Sequence, residues 1–369
     1  MNPPVTLANW LSAPFNRWGF QHVRELIPSA DIPNDPHRVR ELPVQERNID
    51  SELLAETQTD ALVILYRGRL IAEHYAHGMT FETPHTLMSA TKSLMGLLFG
   101  GLGIDPDRPV MDFVPEVGTT AYGGASVRHL LDMRAGVKFE EDYLATSGPI
   151  VEYRKATGWV PLGPGESPSD LHSFFQVLKE RDGPHGGRFH YISPNANLLG
   201  WVVERATGRR YADLMSEFLW KPMGAERSAY ITADRFGAPG CAGGMCATAR
   251  DFARVGQWMI EHPSPWIEDI ERNGDRQAWD AGSFPYFPGM PIHYRSQWYV
   301  LHGASPLIFG LGSFGQHLFI DRKNELVIAR FSSQPLAVDA ERMELTMRAV
   351  SQIRKTFGGD VQGAAHFLG

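Results

Sequence analysis

Only two cysteines occur in 369 residues. Cys241 and Cys246 flank a glycine pair, and their spacing fits neither a C-x-x-C redox motif nor a zinc framework with partner histidines. They are read as reduced thiols in preference to a disulfide. Basic blocks are also missing. Thirty-five Lys and Arg stand against 42 Asp and Glu, for a net charge of -7, which argues against a nucleic-acid binder, because phosphate contacts need clustered cations. No apolar run is long enough to span a bilayer. The stretch Met1 to Trp10 has neither the basic start nor the apolar centre of a secretory leader, so the expectation is a cytoplasmic protein without membrane contact. There is no G-x-S-x-G elbow, and Ala90-Thr91-Lys92-Ser93 lacks the leading glycines of a P-loop. The 14 histidines form no H-E-x-x-H or comparable pair. Neither a metal nor an organic cofactor is expected. No internal repeat or low-complexity tract is present.

What is present centres on Met88-Ser89-Ala90-Thr91-Lys92-Ser93-Leu94-Met95-Gly96-Leu97-Leu98. This reads S-x-x-K at the start of an apolar helix. Residues three apart share a helical face, so the Lys92 ammonium can reach the Ser89 hydroxyl, pairing a nucleophile with an activator. The unpaired N–H groups and positive dipole end of a helix start favour an anionic oxygen there. Alone, the four-letter match is equally a surface serine beside a snorkelling lysine, so other parts of the chain must decide.

The composition, 43% hydrophobic and 21% charged, is that of a globular chain of one large domain or two modest ones. Residues 1–50 read as an irregular arm with a short helix near Phe15 to Leu26, packed on the body. Ala61 to Tyr75 reads as a hairpin turning at Arg67-Gly68. Ser126 to Met133, Ser169 to Arg181, Asn197 to Ala206, Tyr211 to Trp220 and Ala249 to Glu261 read as helices, with an amphipathic closing helix over Ala340 to Phe357. Gln297 to Leu301, Gly315 to Ile320 and Leu326 to Ser332 read as antiparallel strands. Strands at both ends around central helices predict an α/β (α+β) sandwich: an antiparallel sheet built from both termini and flanked by helices, with an inserted all-helical domain. The expected division is 51–135 with 225–369 for the sheet domain and 136–224 for the largely helical insert.

Two further stretches supply candidate chemistry. In Phe189-His190-Tyr191-Ile192-Ser193-Pro194-Asn195, Tyr191 on a loop is a candidate base, and Ser193 and Asn195 a polar wall; a core tyrosine with Ser193 capping the next helix is the plainer alternative. In Phe309-Gly310-Leu311-Gly312-Ser313-Phe314-Gly315, close glycines such as Gly312 let a ligand approach the backbone. The Ser313 N–H then becomes a second oxyanion donor beside that of Ser89, with a tight turn or bulge as the alternative.

Ser89-x-x-Lys92, then Tyr191-x-Ser193-x-Asn195, then the glycine-rich strand, together resemble the serine β-lactamase and penicillin-recognising superfamily. Glu141-Asp142-Tyr143, Gly243-Gly244 and Ser332-Ser333-Gln334-Pro335 extend the resemblance over nearly the whole chain. Within the superfamily it is most similar to the class C-like esterases and amidases, above all the nylon-oligomer hydrolases. The resemblance implies that Ser89 is acylated and that Lys92 and Tyr191 share the acid–base work. It also implies that the Ser89 and Ser313 N–H groups form the oxyanion hole, and that Tyr143 lies over the leaving group.

The pattern departs in places. Gly310-Leu311-Gly312 stands where β-lactamases carry Lys-Thr-Gly, so efficient β-lactam hydrolysis is not expected. Arg154 and Lys155 lie where nylon-oligomer hydrolases can place a carboxylate, and Ala242 where they can carry an asparagine. That implies a pocket suited to a neutral or anionic tail, with Arg154 as a substrate contact, unless both cations simply face water. The expected activity is a serine carboxylesterase or amidase acting on a small molecule, with a homodimer allowed. Alternatives are an amidase on short oligomers, a weak β-lactamase or D,D-peptidase, and a non-catalytic binding protein.

Overall fold

The computed structural model describes residues 4–49 and 57–359; the expected boundary near residue 50 lies outside them. The described residues contain eleven strands: β1 (Ser29–Ile32), β2 (Thr59–Tyr66), β3 (Arg69–Tyr75), β4 (His85–Thr86), β5 (Ala229–Thr232), β6 (Met245–Ala247), β7 (Ile292–Arg295), β8 (Trp298–Leu301), β9 (Leu307–Gly312), β10 (Gln316–Asp321) and β11 (Leu326–Ser332). The helices are α1 (Asn16–Gly19), α2 (Ala90–Gly100), α3 (Val127–Leu131), α4 (Pro149–Ala156), α5 (Leu171–Phe174), α6 (Ser193–Thr207), α7 (Tyr211–Met215), α8 (Ala249–Glu261), α9 (Pro265–Arg272), α10 (Arg276–Asp280) and α11 (Ala340–Thr356).

Seven strands form one antiparallel sheet in the order β3-β2-β11-β10-β9-β8-β7. It is assembled from both ends of the chain, as expected. The hairpin turns at Arg67 and Gly68, with φ of 50° and 72°, the left-handed pair whose twist matches the flanking strands. Ala61 through Leu65 are all buried, because helices cover both sheet faces and the period-2 alternation feeds two cores. Leu62, Ile64, Phe319 and Ile328 pack with Met343, Met347 and Val350 of α11. Val63, Leu65, Leu318 and Ala329 pack with Phe252, Val255 and Met259 of α8.

A second antiparallel sheet, ordered β1-β5-β6-β4, was not anticipated. Its edge strand β1 comes from the stretch read as irregular, because a four-residue strand leaves too little alternation to see. The opposite edge, β4, runs straight into Leu87, Met88 and Ser89. All of Ala90 to Phe99 in α2 is buried, as its all-round apolar character requires. A Cβ at Gly96 would stand 1.9 Å from the Ser296 carbonyl oxygen, so glycine sets how closely this helix meets the sheet.

Other expectations need correcting. Five strands, not three, follow residue 290: β7 was unseen, and the glycine-rich segment read at a strand entry ends a strand of its own, β9, which separates β8 from β10. The glycines of Leu-Ile-Phe-Gly-Leu-Gly mimic a loop. The helix expected over 169–181 is α5 followed by a 3₁₀ turn, Phe175–Val177, and the one near 15–26 is α1 plus the 3₁₀ turn Val23–Glu25. Helix α4, whose Gly148-Pro149 start follows the preference for proline at the first turn, was missed, as were α9 and α10. Helix α6 begins four residues before the expected Asn197.

Candidate active site

The short strand β4 delivers Ser89 to the mouth of α2. Met88 adopts φ of 46°, a conformation uncommon outside glycine that concentrates where function demands a fixed side-chain direction. Ser89 occupies the N-cap position, yet its hydroxyl makes no capping hydrogen bond. Instead Lys92 Nζ donates to Ser89 Oγ at 3.0 Å. The other two N–H bonds go to Ser193 Oγ at 3.1 Å and the Ala242 carbonyl at 2.7 Å. Lys92 is 1% exposed. Burial disfavours its charged form and brings its pKa down to about 8, against the opposing pull of Glu141.

Tyr191 stands on the other side of this ammonium, which lies 4.9 Å from the ring centroid. Phe284 and Tyr294 pack around the ring. Burial pushes the phenol well above its usual pKa, the Glu141 charge adds to the rise, and the Ser89 hydroxyl opposes it. Tyr191 is therefore a neutral hydroxyl near pH 7.

Glu141 ties these parts together. Ser193 donates its N–H to Glu141 Oε2 at 2.6 Å and its hydroxyl to Oε1, where the Tyr143 hydroxyl also donates at 3.0 Å. The carboxylate thus sits at the N-terminus of the 15-residue α6, where the helix dipole favours negative charge. Glu141 lies in the Glu141-Asp142-Tyr143 string of the resemblance, but its contact with Ser193 spans 52 residues and leaves no local signal of this role.

Ser313 opens a 3₁₀ turn, Ser313–Gly315, directly after β9, and Phe314 takes φ of 61°. Gly312 brings this strand end against the turn that carries Ser89, since a Cβ there would stand 2.3 Å from the Leu87 carbonyl oxygen. Among the described residues, neither the Ser89 nor the Ser313 N–H enters a backbone hydrogen bond. Both residues line a cavity of about 510 Å³, as do Tyr143, Arg154 and Ser193.

Asn195 is placed elsewhere. It is fully buried, accepts from the Tyr122 hydroxyl at 2.9 Å and approaches Met133 Sδ at 3.4 Å, and it does not line the cavity. Gly312 supports the cavity wall from behind rather than lining it. Asn197, two residues further along α6, does line the cavity, joining Tyr153 Oη at 2.7 Å to the Ala242 N–H at 2.9 Å. Arg154 donates to the carbonyls of Ala145 and Asp142 at 3.2 and 3.0 Å. Lys155 instead pairs with Glu152 and Glu166 outside the cavity. His85 is buried against Phe331 and His190 faces Asp182; both act as packing. Cys241 and Cys246 are free and buried. Among the described residues, no group of three or more His, Cys, Asp or Glu side chains is placed to hold a metal ion, and no helix is long and apolar enough to cross a membrane.

The β-lactamase family model matches residues 47–351. The chain is 35% identical over 351 residues to the 6-aminohexanoate-dimer hydrolase of Paenarthrobacter ureafaciens, covering 89% of this chain and 88% of that one. Its structure is similar to that of a Bacillus anthracis protein assigned as a 6-aminohexanoate-dimer hydrolase, with a TM-score of 0.85 and 27% identity over 96% of this chain and 97% of the other. A D-stereospecific amidohydrolase from Streptomyces shares the fold at a TM-score of 0.59 and 17% identity, over 79% of this chain and 95% of its own. By its family match, its relative and its fold, this chain belongs to the β-lactamase family.

Proposed function

We propose that this protein is a serine hydrolase that cleaves a carboxylic ester or amide of a small molecule through an acyl-enzyme on Ser89. The observation that carries the reading is the buried Lys92 ammonium, held 3.0 Å from Ser89 Oγ, with a pKa brought down to about 8. A lysine so placed is the free amine in about a tenth of molecules at pH 7, far more than an unperturbed lysine, and that amine can accept the hydroxyl proton.

Ser89 Oγ attacks the substrate carbonyl carbon as its proton passes to Lys92. The resulting oxyanion takes hydrogen bonds from the Ser89 and Ser313 N–H groups. Collapse breaks the bond to the leaving group, which receives the proton from Lys92 by way of the Tyr191 hydroxyl. Water then attacks the acyl carbon, returns a proton through Lys92 to Ser89 Oγ, and releases the acid. Neutral Tyr191 relays protons and Lys92 is the base. Ser193 and Glu141 hold Lys92, and Tyr143, Ser193 and Arg154 form the substrate-side wall. We take 136–224 as the insert that supplies much of that wall. An ester is the favoured substrate because an alkoxide leaves more easily than an amine.

Amide cleavage is the second reading, favoured by the 35% identity to a 6-aminohexanoate-dimer hydrolase. The intact Ser89, Lys92 and Tyr191 argue against a non-catalytic role. The test is turnover of p-nitrophenyl butyrate by wild type and Ser89→Ala, with intact-mass detection of a butyryl adduct. Turnover and adduct in the wild type, and neither in the variant, are expected. An inert wild type or a fully active variant refutes the reading. Matched ester and anilide substrates then separate esterase from amidase.

A further inference from the structure

The cavity beside Ser89 offers little uncommitted negative charge to a substrate. Its charged side chains are Glu141 and Arg154. Glu141 accepts three hydrogen bonds, from Tyr143 and twice from Ser193, and Arg154 is bound to two main-chain carbonyls. The rest of the wall is largely apolar, including Leu11, Trp159 and Phe314. Two leucines on the same wall are unusually open to solvent: Leu144 at 84% and Leu336 at 52% exposed. They come from sequence-distant segments and meet at one cavity. An apolar group entering there covers both, and fully burying a leucine side chain is favourable by about 1.5–3 kcal/mol.

We infer that the substrate is an ester bearing an apolar chain without a cationic end, and that Leu144 and Leu336 set the preference for chain length. This rests on the Ser89 acyl-enzyme reading. A cavity of about 510 Å³ accommodates a medium-length alkyl chain, and small-molecule sites of this size are mostly apolar with few orienting polar groups. An ammonium at the chain end would lose hydration without gaining an uncommitted counter-charge, since Glu141 is already engaged by three hydrogen bonds.

The test measures kcat/KM for p-nitrophenyl acetate, butyrate and hexanoate, and for ethyl, butyl and hexyl acetate. It adds p-nitrophenyl 6-aminohexanoate and the p-nitrophenyl half-ester of adipic acid. At least one neutral series is expected to rise by up to about fourfold per added methylene, and the ammonium-tipped ester is expected to fall about tenfold or more below both hexanoate and the adipic half-ester. Leu144→Asn and Leu336→Asn should flatten the rise; both positions are exposed, so the fold tolerates them. Val177→Asn, at an exposed apolar residue remote from the cavity, should leave the profile as in the wild type. A flat profile in both series, or preference for the ammonium-tipped ester, with acyl-Ser89 still forming, overturns this inference and leaves the serine mechanism standing. Absence of any turnover or adduct overturns the serine mechanism, and this inference with it.

Discussion

Replacing Glu141 by glutamine tests how Lys92, the proposed base, is held near its working protonation state. Lys92 Nζ is 3.1 Å from Ser193 Oγ, and that hydroxyl donates to Glu141, so carboxylate and ammonium lie within about 6 Å of one another. At about 6 Å and an effective dielectric of about 20, opposite unit charges attract by about 3 kcal/mol. Partial screening reduces this to about 1.4–3 kcal/mol, equivalent to one to two pH units. The direction follows from the structure. Burial lowers the Lys92 pKa to about 8 while Glu141 raises it; removing the charge lets burial act unopposed, so the neutral amine forms at lower pH. Wild-type kcat/KM for a neutral ester should rise with pH through about 8 and then level off. In Glu141→Gln the midpoint should move downward by about one to two pH units. Its plateau should be lower, because a weaker base draws the serine proton less strongly. Initial rates across the pH range read out the midpoint, and a thermal melt checks that α6 keeps its fold after losing a charge worth about 0.3–1 kcal/mol at its N-terminus. A midpoint that stays put or moves upward refutes the reasoning.

Tyr191→Phe keeps the ring beside Lys92 and removes the hydroxyl; kcat should fall about 100-fold while the pH midpoint stays tied to Lys92, as a pH–rate profile will show. Gly312→Ala forces a methyl against the Leu87 carbonyl. It should cost about 1–3 kcal/mol of stability by denaturant melt and lower kcat by displacing the nucleophile turn. Asn195→Ala strands the buried Tyr122 hydroxyl. A loss of about 1–3 kcal/mol is expected, with KM unaltered because the side chain does not face the cavity.

Features visible in the sequence were those enforced locally. Ser89 and Lys92 meet because one helical turn separates them, and the hairpin at Arg67-Gly68 follows from its turn dipeptide between apolar runs. Features that escaped depend on contacts between distant segments. Glu141 reaches Ser193 only once α6 is docked. The extent of β9 was hidden because Gly310 and Gly312 reduce its apolar signal, although close packing against α2 and the Leu87–Ser89 turn requires those glycines. Asn195 looked like a site residue from its spacing after Tyr191, but the first turn of α6 rotates it inward to Tyr122. Spacing shows which residues can meet; helix rotation decides which do.

The joining of β2 to β11 has a consequence during synthesis. Arg330 Nε reaches Thr59 Oγ1 at 2.8 Å across 271 residues. At about 5–20 residues per second, β2 leaves the ribosome roughly 15–50 s before its central neighbour exists. Until then Thr-Asp-Ala-Leu-Val-Ile-Leu-Tyr has β3 on one edge and nothing on the other, an apolar strand open to pairing with any nascent copy nearby. The most aggregation-prone period for this chain therefore precedes its completion, and its yield in cells should depend more on translation rate and chaperone supply than on the stability of the finished fold.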